Sequence, residues 1–583
     1  MEIFEDMLTQ AEKESGNGEK LILDSYIPAD GDYILVESDG IVKSCSIHLD
    51  KKTRTCEMNP FDMDLLEKCR FYDYHSRLVS IDKPQDPKKV IHSNSYLSFW
   101  VKHDSLENGK LDKEAIDRYF DILKEPLEKY KKFQDREMYQ YIAEKIGDVN
   151  QEKLEYCRNW IKNHIFHLED LGISLSGKNY LKVFFEVDPV LYIQEEQRYL
   201  ITKIYNKNDY NIKIDGEIYG LPNDNLGLNS KKPFLENKSR KMTIPYLITT
   251  DEAVRQRQFF DYLMNKANAG ESDLYFDNEQ KIIISKKKGE MIDSNFTGFF
   301  LQIKKGKEVE IHHQDTIVDY RYFLQKPFLY ENVLGLEDPD EVYKEYSNKS
   351  GIQEIINDVL FSKYLVGNYF TEEADLTVDG ELKRNLIGAR EAIFSWLYKG
   401  REINMDQILH RICLNMMKNS IQNGYTKKLG KQFNLMCSLD DYFKGERKMA
   451  RKYVEVRDNL REKIRKEDSA IESDTEYFYA VGQLVYYFIS LSQAKEKVHA
   501  LANPFFNTVD NQVIKQRLHK YFMKYNYQIK FNSYQFNRMY AMVREYEPDG
   551  KVLQDDLFAG YIGNNLIYEK IKKQINNENE GGN

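Results

Sequence analysis

The feature that most constrains the fold of this chain is a change in the periodicity of its apolar residues near residue 350. Beyond that point, apolar side chains recur at helical spacing in residues 351–366, 381–398, 405–422 and 451–466. Before it, short alternating segments typical of strands are mixed with helical ones. The sequence therefore predicts an α+β protein, with a mixed α/β N-terminal and central region followed by an all-α C-terminal helical bundle.

The N-terminal and central region contains the predicted strands. The clearest lie around residues 33–36 and 180–187, and Thr250 is predicted to cap a helix over residues 251–267. With 583 residues, the chain exceeds the roughly 250 to 300 residues that a single core reaches. An acidic loop over residues 336–341 suggests the first boundary. The predicted parts are a mixed α/β region over 1–345, a helical connecting region over 346–448 and the C-terminal bundle over 449–583.

The composition is that of a folded, moderately acidic protein. Hydrophobic residues make up 41% of the chain, and its formal net charge is −10. We find no signal peptide pattern and no apolar run of the roughly 20 residues that a bilayer crossing requires, so we expect a cytoplasmic protein without membrane association. The six cysteines form no C-x-x-C pair. We expect reduced, mostly buried thiols, no metal site and no cofactor.

Residues 511–544 are basic, in contrast to the acidic net charge of the whole chain. These 34 residues contain no Asp or Glu and carry eight aromatic rings. Proteins that bind single strands without sequence preference use cations to contact phosphates and flat rings to stack on bases. The alternative is a pair of helices with an aromatic core and a solvated basic face. The cations of the stretch are Lys515, Arg517, Lys520, Lys524, Lys530, Arg538 and Arg544.

Helical geometry divides this stretch into a core side and an exposed side. At 100° per residue, Ile514, Leu518 and Tyr525 share one side of a helix. Most of the rings are therefore predicted to lie in the core, and the cations form a surface that follows phosphates. The central cations of that surface are Arg517, Lys520 and Lys524, and its predicted extensions are Lys530, Arg538 and Arg544.

A second candidate binding segment is the long connection over residues 219–241, which is rich in Gly, Pro and Asn. Long connections in compact proteins are often functional. Amide and cationic side chains together can contact base edges and phosphates. An ordinary basic loop is the alternative. The candidate residues are Asn223, Asn225, Lys231, Lys232, Lys238, Arg240 and Lys241.

Candidate catalytic groups are few. The chain has no G-x-x-x-x-G-K-[ST] phosphate-binding loop. His312 and His313 with Asp315 are candidates for a metal or general-base site, but adjacent residues of a strand point to opposite faces, so at most one histidine joins a given site. We predict no catalytic residue. Two alternatives to a non-catalytic nucleic-acid-binding subunit stay open, namely a metal-dependent nuclease and a helical protein-interaction scaffold.

Three segments of the chain resemble one known family. They are residues 220–241, which contain Gly-Leu-Pro-Asn and Lys-Lys-Pro-Phe-Leu, residues 477–485 and residues 557–562. Over most of its length the chain resembles the large subunit of the type I-B CRISPR interference complex, Cascade, in the Csh-type branch of the eighth Cas family. Some members carry a Cys-rich metal knuckle, which this sequence lacks.

The resemblance implies a non-enzymatic role in antiviral DNA interference. In that family the N-terminal part lies by the crRNA 5′ handle and recognises the PAM duplex, and the C-terminal bundle helps to stabilise the R-loop. Sequence specificity comes mainly from guide pairing. The implied partners are crRNA, target double-stranded DNA, the backbone, handle-binding and small subunits of Cascade, and a recruited helicase-nuclease that cleaves the DNA.

The family also implies a small subunit translated from within the same reading frame. The codons of residues 444–449 can include a ribosome-binding sequence, suitably placed before the Met449 codon. Met405 is the competing internal start. Either product would contain the basic stretch.

Overall fold

The fold is that of a computed structural model, which describes residues 4–6, 9, 19–50, 56–77, 85–173, 175, 179–222, 246–306, 309–337, 343–378, 380–446, 448–493, 498–530 and 532–570. An N-terminal part of mixed sheets and helices is followed by a helical part that begins at Lys349. The predicted α+β class is therefore confirmed. In the described residues, no helix combines the length and the apolar composition that a bilayer crossing requires.

The strands, in chain order, are β1 Gly31–Val36, β2 Val42–Leu49, β3 Cys56–Asn59, β4 Ser98–Lys102, β5 Tyr180–Phe185, β6 Ile212–Ile214, β7 Glu217–Gly220, β8 Ile248–Thr249, β9 Asp273–Asp277, β10 Ile283–Lys286, β11 Phe296–Lys305, β12 Val309–Tyr320, β13 Phe323–Leu329 and β14 Glu345–Asn348. The helices before residue 300 are α1 Lys20–Ser25, α2 Met63–Ser76, α3 His103–Glu107, α4 Lys113–Lys124, α5 Pro126–Lys129, α6 Phe133–Ile146, α7 Gln151–His164, α8 Pro189–Leu200 and α9 Thr250–Ala269. The later helices are α10 Lys349–Val359, α11 Gly380–Lys399, α12 Met405–Gln422, α13 Thr426–Lys444, α14 Met449–Lys463, α15 Asp474–Ser490, α16 Asn503–Phe506, α17 Asn511–Tyr525, α18 Tyr534–Glu545 and α19 Gln554–Ile562.

The chain forms two compact units. The N-terminal unit comprises residues 1–287 and 298–316, and the C-terminal unit comprises residues 288–297 and 317–583. The C-terminal unit thus contains both the segment predicted as a connecting region and the segment predicted as the bundle. All six cysteines are free, and all except Cys56 are buried, which confirms the expectation of mostly buried thiols.

The N-terminal unit is organised around a sheet with strand order β3-β2-β1-β5-β4. Strand β1 pairs antiparallel with β2 and parallel with β5. All six residues of β1 are buried, because apolar side chains of α2, α4, α7 and α8 join the same core. A second sheet has the order β10-β9-β11-β12. The first sheet combines strands from distant parts of the sequence, as expected of a region in which helices and strands alternate, whereas the second is built from four successive strands.

An ion pair is buried in the core of the first sheet. Lys182 of β5 lies 2.5 Å from Asp73 of α2, and their side chains are 3% and 0% exposed. The Lys182 ammonium also lies 4.1 Å from the centre of the Trp100 ring and 3.2 Å from the Tyr33 hydroxyl. A buried charge without a partner is costly, so this pair fixes β5 against α2. Burial, followed by the Asp73 charge, raises the pKa of the Tyr33 phenol.

The predicted cap of α9 is wrong by one residue. Thr249, rather than Thr250, is the N-cap, and its hydroxyl accepts a hydrogen bond from the Glu252 amide at 3.2 Å. The Glu252 carboxylate accepts in return from the Thr249 amide at 2.9 Å. The two bonds form a capping box, so the helix begins one residue before the sequence-based boundary.

In the C-terminal unit, helices α15 and α19 cross with their backbones in close contact. A Cβ atom at Gly560 would overlap the Tyr479 carbonyl oxygen, and one at Gly482 would overlap the Leu557 carbonyl oxygen. Helix α15 is buried on almost every side. Residues 477–485 and 557–562 therefore belong to the two helices of this crossing.

Ion pairs attach α14 to the segment that ends the bundle. Lys452 lies 2.6 Å from Asp556 of α19, and the Tyr453 hydroxyl donates to the same carboxylate at 3.0 Å. Arg461 lies 2.7 Å from Glu569. Asp556 is 1% exposed, so its two partners supply the charge and the hydrogen bond that its burial requires.

Candidate nucleic-acid interface

The two segments predicted to bind nucleic acid have different outcomes in the structure. Asn223, Asn225 and the five cations of residues 231–241 lie outside the described residues. The basic stretch 511–544 is described except for Phe531, and its described residues include α17, a short 3-10 turn over Asn526–Gln528 and α18. Asp510 caps α17, because its carboxylate accepts from the Gln512 amide at 2.8 Å.

The aromatic rings of the stretch divide between core and surface. Phe522 of α17 stacks on Tyr540 of α18 with ring centres 5.0 Å apart, and Phe536 stacks on the same tyrosine at 5.6 Å. Burial raises the pKa of the Tyr540 phenol, and its hydrogen bond with Arg544 opposes part of that rise. This stack is the packing between the two helices. By contrast, Tyr527 and Tyr534 are 66% and 65% exposed.

Three of the cations make structural contacts. The Arg517 guanidinium donates to the Pro504 carbonyl oxygen. Lys515 donates to the Tyr546 carbonyl oxygen at 2.6 Å and lies 2.7 Å from Glu547. Arg538 donates to the carbonyl oxygen of Arg465 and pairs with Glu467 at 2.9 Å. Because these groups already hold partners, they are poorer candidates for phosphate contacts than the sequence alone indicates.

Three other cations project into solvent at the end of this helix pair. Lys520, Lys524 and Lys530 are exposed, and in the part of the chain that is described none of them forms an ion pair. The Lys524 ammonium lies 5.0 Å from the centre of the Tyr525 ring. We call these three lysines, with the exposed rings of Tyr527 and Tyr534, the lysine face. Arg544 is also exposed and lies beside Tyr540.

The lysine face can do two things chemically. Ammonium groups on flexible stems contact phosphates as point charges, and exposed phenol rings offer flat surfaces for bases. The stretch contains no acid that would repel a nucleic-acid strand. Helical periodicity identified Lys520 and Lys524 as exposed, but the exposure of Tyr527 and Tyr534 depends on the turn between the helices, which periodicity does not describe.

A cluster of His410, Asp440 and Asp555 was not predicted. The ring nitrogens of His410 lie 3.2 Å from Asp440 and 3.4 Å from Asp555, and the potential ligand atoms lie within 4.8 Å of one another. Hydrogen bonds to Asp440 and Asp555 raise the pKa of His410 to about 10, and the histidine lowers the pKa of Asp440 against the effect of burial. Each ring nitrogen faces a carboxylate, so His410 links α12, α13 and α19.

The histidines of the nuclease alternative are not brought together. On β12, His312 lies 3.4 Å from Glu310, and His313 lies 3.5 Å from Asp315. Residues two apart on a strand share a face, so each histidine has its own carboxylate on its own side of the sheet. The two histidines therefore do not form one site on this strand.

Comparison of the chain with protein-family models, with curated proteins and with solved structures finds no significant match.

Proposed function

We propose that this protein is the non-catalytic large subunit of a type I-B CRISPR RNA-guided surveillance complex, located in the cytoplasm. In this role it recognises the PAM duplex and stabilises the R-loop for antiviral DNA interference. Its partners are crRNA, target double-stranded DNA, the backbone, handle-binding and small subunits, and a recruited helicase-nuclease. The sequence resemblance supports the family, and the geometry supports the nucleic-acid-binding part of the proposal.

The observation that carries the nucleic-acid-binding part is the lysine face. In a chain with a formal net charge of −10, one short stretch carries three exposed lysines that form no ion pair with the described residues, and the same stretch carries two exposed tyrosines. Attraction to phosphates is strongest where cations are not already neutralised, and each contact releases counterions. The displaced single strand of an R-loop presents both phosphates and unpaired bases, so it matches this surface chemically.

The test is the salt dependence of single-strand binding by the triple variant Lys520→Gln, Lys524→Gln, Lys530→Gln. Three lost contacts to a single strand should reduce the slope of log affinity against log salt by about 2. A matched control variant replaces Lys110, Lys113 and Lys153, which are exposed in the N-terminal unit, by Gln and changes the net charge equally. The control should keep the wild-type slope.

Equal slopes in both triple variants would contradict the role of the lysine face.

The subunit role has a separate test, which is whether the chain co-purifies with a uniform small RNA and several other proteins. Cleavage by the isolated chain that depends on a divalent metal would instead favour the nuclease. Purification with a protein partner but without nucleic acid would favour the scaffold.

The connection over residues 219–241 is proposed to contact the target duplex or crRNA. Changes at Asn223, Asn225, Lys231 or Lys232 should alter binding to the target duplex or to crRNA without changing bundle stability. A loss of thermal stability in such variants, with duplex and crRNA affinity unchanged, would contradict this proposal.

A further inference from the structure

A cavity of about 300 Å³ lies within the C-terminal unit, and its lining includes none of the binding residues predicted from the sequence. Its walls come from the first two turns of α13, from α15, from the end of α19 and from segments near residues 336 and 499. The side chains that matter for its chemistry are Tyr343, Lys427, Lys431, Tyr486, His499 and Tyr561. The cavity therefore combines aromatic rings with cations.

The aromatic wall is held rigidly. The Tyr561 side chain is 2% exposed, and its hydroxyl lies 2.7 Å from Nδ1 of His499. Burial raises the pKa of this phenol, so it stays neutral at physiological pH. The Tyr486 ring meets the Tyr561 ring edge to face at 5.7 Å. Tyr486 is half-buried, so part of its ring is accessible from the cavity.

The described lining of the cavity includes two cations from one helix. Lys427 and Lys431 are four residues apart on α13, so they lie on the same side of the helix. Lys427 is exposed and Lys431 is half-buried. Both lie in the first two turns of α13, where the helix dipole favours an anion. Among the described residues of the cavity wall, Glu337 is the acid, and it is exposed.

We propose that this cavity binds one unstacked nucleotide of a single strand, with its base against Tyr486 and its phosphate on Lys427. The inference rests on the proposed function, because it assigns a second contact point for the strand that the lysine face attracts. Flat rings accept any base, and lysines accept any phosphate, so the site is not selective for sequence. Glu337 opposes the phosphate and limits the affinity.

The test uses the full chain and a short oligothymidylate that carries one 2-aminopurine, a base whose fluorescence changes on stacking. Wild-type protein should quench this fluorescence. Tyr486→Ala should remove the quenching and weaken binding roughly tenfold, whereas Tyr486→Phe should keep both. Lys427→Gln should weaken binding, and Glu337→Gln should strengthen it, each by a few-fold.

A free nucleotide has the same chemistry as one nucleotide of a strand, so a 2-aminopurine mononucleotide is the second probe. Quenching of the strand and not of the mononucleotide supports the proposal. Quenching of the mononucleotide alone overturns the assignment to a strand. Thermal unfolding of each variant identifies those that fail to fold, and Tyr486→Phe with Glu337→Gln keeps the test informative if Tyr486→Ala does fail.

The test separates this inference from the proposed function. Tyr486→Ala could bind and quench as the wild type does, while the triple variant of the lysine face shows a reduced slope of log affinity against log salt. In that case the cavity proposal fails and the proposed nucleic-acid binding stands. If neither the oligonucleotide nor the mononucleotide binds at low salt, both fail. The opposite signs expected for Lys427→Gln and Glu337→Gln distinguish a phosphate contact from a general loss of stability.

Discussion

The guanidinium of Arg538 donates a hydrogen bond to the backbone carbonyl oxygen of Arg465 at a distance of 2.6 Å. Arg465 follows the end of α14, where carbonyl groups lack partners within the helix. Arg538, which the sequence predicts as part of the nucleic-acid surface, is therefore also a contact between α18 and the end of α14. Its contribution to folding and its contribution to binding can be separated by experiment.

We predict that Arg538→Ala destabilises the C-terminal unit by about 1 to 3 kcal/mol, because hydrogen bonds from a charged group are lost. The salt dependence of single-strand binding should change by less than in the triple lysine variant. Thermal unfolding and salt titration measure the two effects. Arg544→Ala is the control, since Arg544 is exposed and should cost less stability. A large loss of salt dependence in Arg538→Ala without destabilisation would contradict the structural role.

The His410 bridge predicts a pH dependence of stability. Its pKa is raised to about 10, above the value of about 6.5 expected in the unfolded chain. A raised pKa in the folded state stabilises fully below the unfolded pKa and loses this contribution as pH rises through the folded pKa. The stability difference between wild type and His410→Gln should therefore shrink between about pH 6.5 and 10. We expect a difference of order 2 kcal/mol at the acid end.

Thermal unfolding of both proteins across this pH range measures the difference. His75, in the N-terminal unit, has a pKa raised to about 9 by Glu196 and Glu19 against the effect of burial. The wild type alone would combine both histidines, so only the comparison with His410→Gln isolates the bridge. A difference that stays constant with pH would show that His410 is not protonated in the folded state.

The space around two helical glycines, one at the crossing of α15 and α19 and one in α11, predicts opposite effects on stability when each is replaced by Ala. Gly560→Ala places a methyl group against the Tyr479 carbonyl and should destabilise the C-terminal unit by about 1 to 3 kcal/mol or more. Gly388, inside α11, has open space around its Cβ position. Gly388→Ala should therefore stabilise the protein by about 0.5 to 1 kcal/mol. Denaturant unfolding of the pair tests both signs, and equal effects would contradict the close crossing.

Both candidate internal starts coincide with the first residue of a helix. Met405 begins α12, and Met449 begins α14. Mass spectrometry of the purified complex should find an N-terminal peptide that begins at one of these residues, and its absence would contradict internal translation. The pH dependence of stability separates the two products, because one that begins at Met405 retains His410 and Asp440 and one that begins at Met449 lacks both.

The helical part of the fold was predictable where helices have one buried side. The helix predicted over residues 405–422 coincides with α12, and the helix predicted over residues 451–466 overlaps α14. The helix predicted over residues 351–366 extends past the end of α10. The real helix ends earlier because Ser362 and Lys363 have positive φ angles of 51° and 70°, which a helix does not accommodate.

Helix α13 lies in the region predicted to be helical, but its bounds were not predicted, because it is buried on most sides and carries polar residues inside. Gln432 accepts a hydrogen bond from the Ser420 hydroxyl at 2.8 Å and donates to the Val359 carbonyl oxygen at 3.3 Å. Such residues remove the amphipathic pattern by which a helix is identified from sequence. Polar groups that bond to distant segments look like surface residues in the sequence.

The same limit applies to the candidate sites. Periodicity shows that Lys520 and Lys524 lie on a side of α17 without core residues. It does not show that Arg517 reaches Pro504, since this contact depends on the path of the chain between α16 and α17. The aromatic cavity draws Tyr343, Lys427 and Tyr561 from segments more than 80 residues apart, so no local pattern indicates it.

The crossing of α15 and α19 also has a consequence for synthesis on the ribosome. Gly560 follows Gly482 by 78 residues, so α15 is made well before the helix that covers its glycine face. At roughly 5 to 20 residues per second, the interval is about 4 to 16 seconds. During that time a helix with apolar side chains on almost every side has no partner on that face. The nascent C-terminal unit therefore exposes an apolar face of α15 until α19 has emerged, and its folding is completed only after that point.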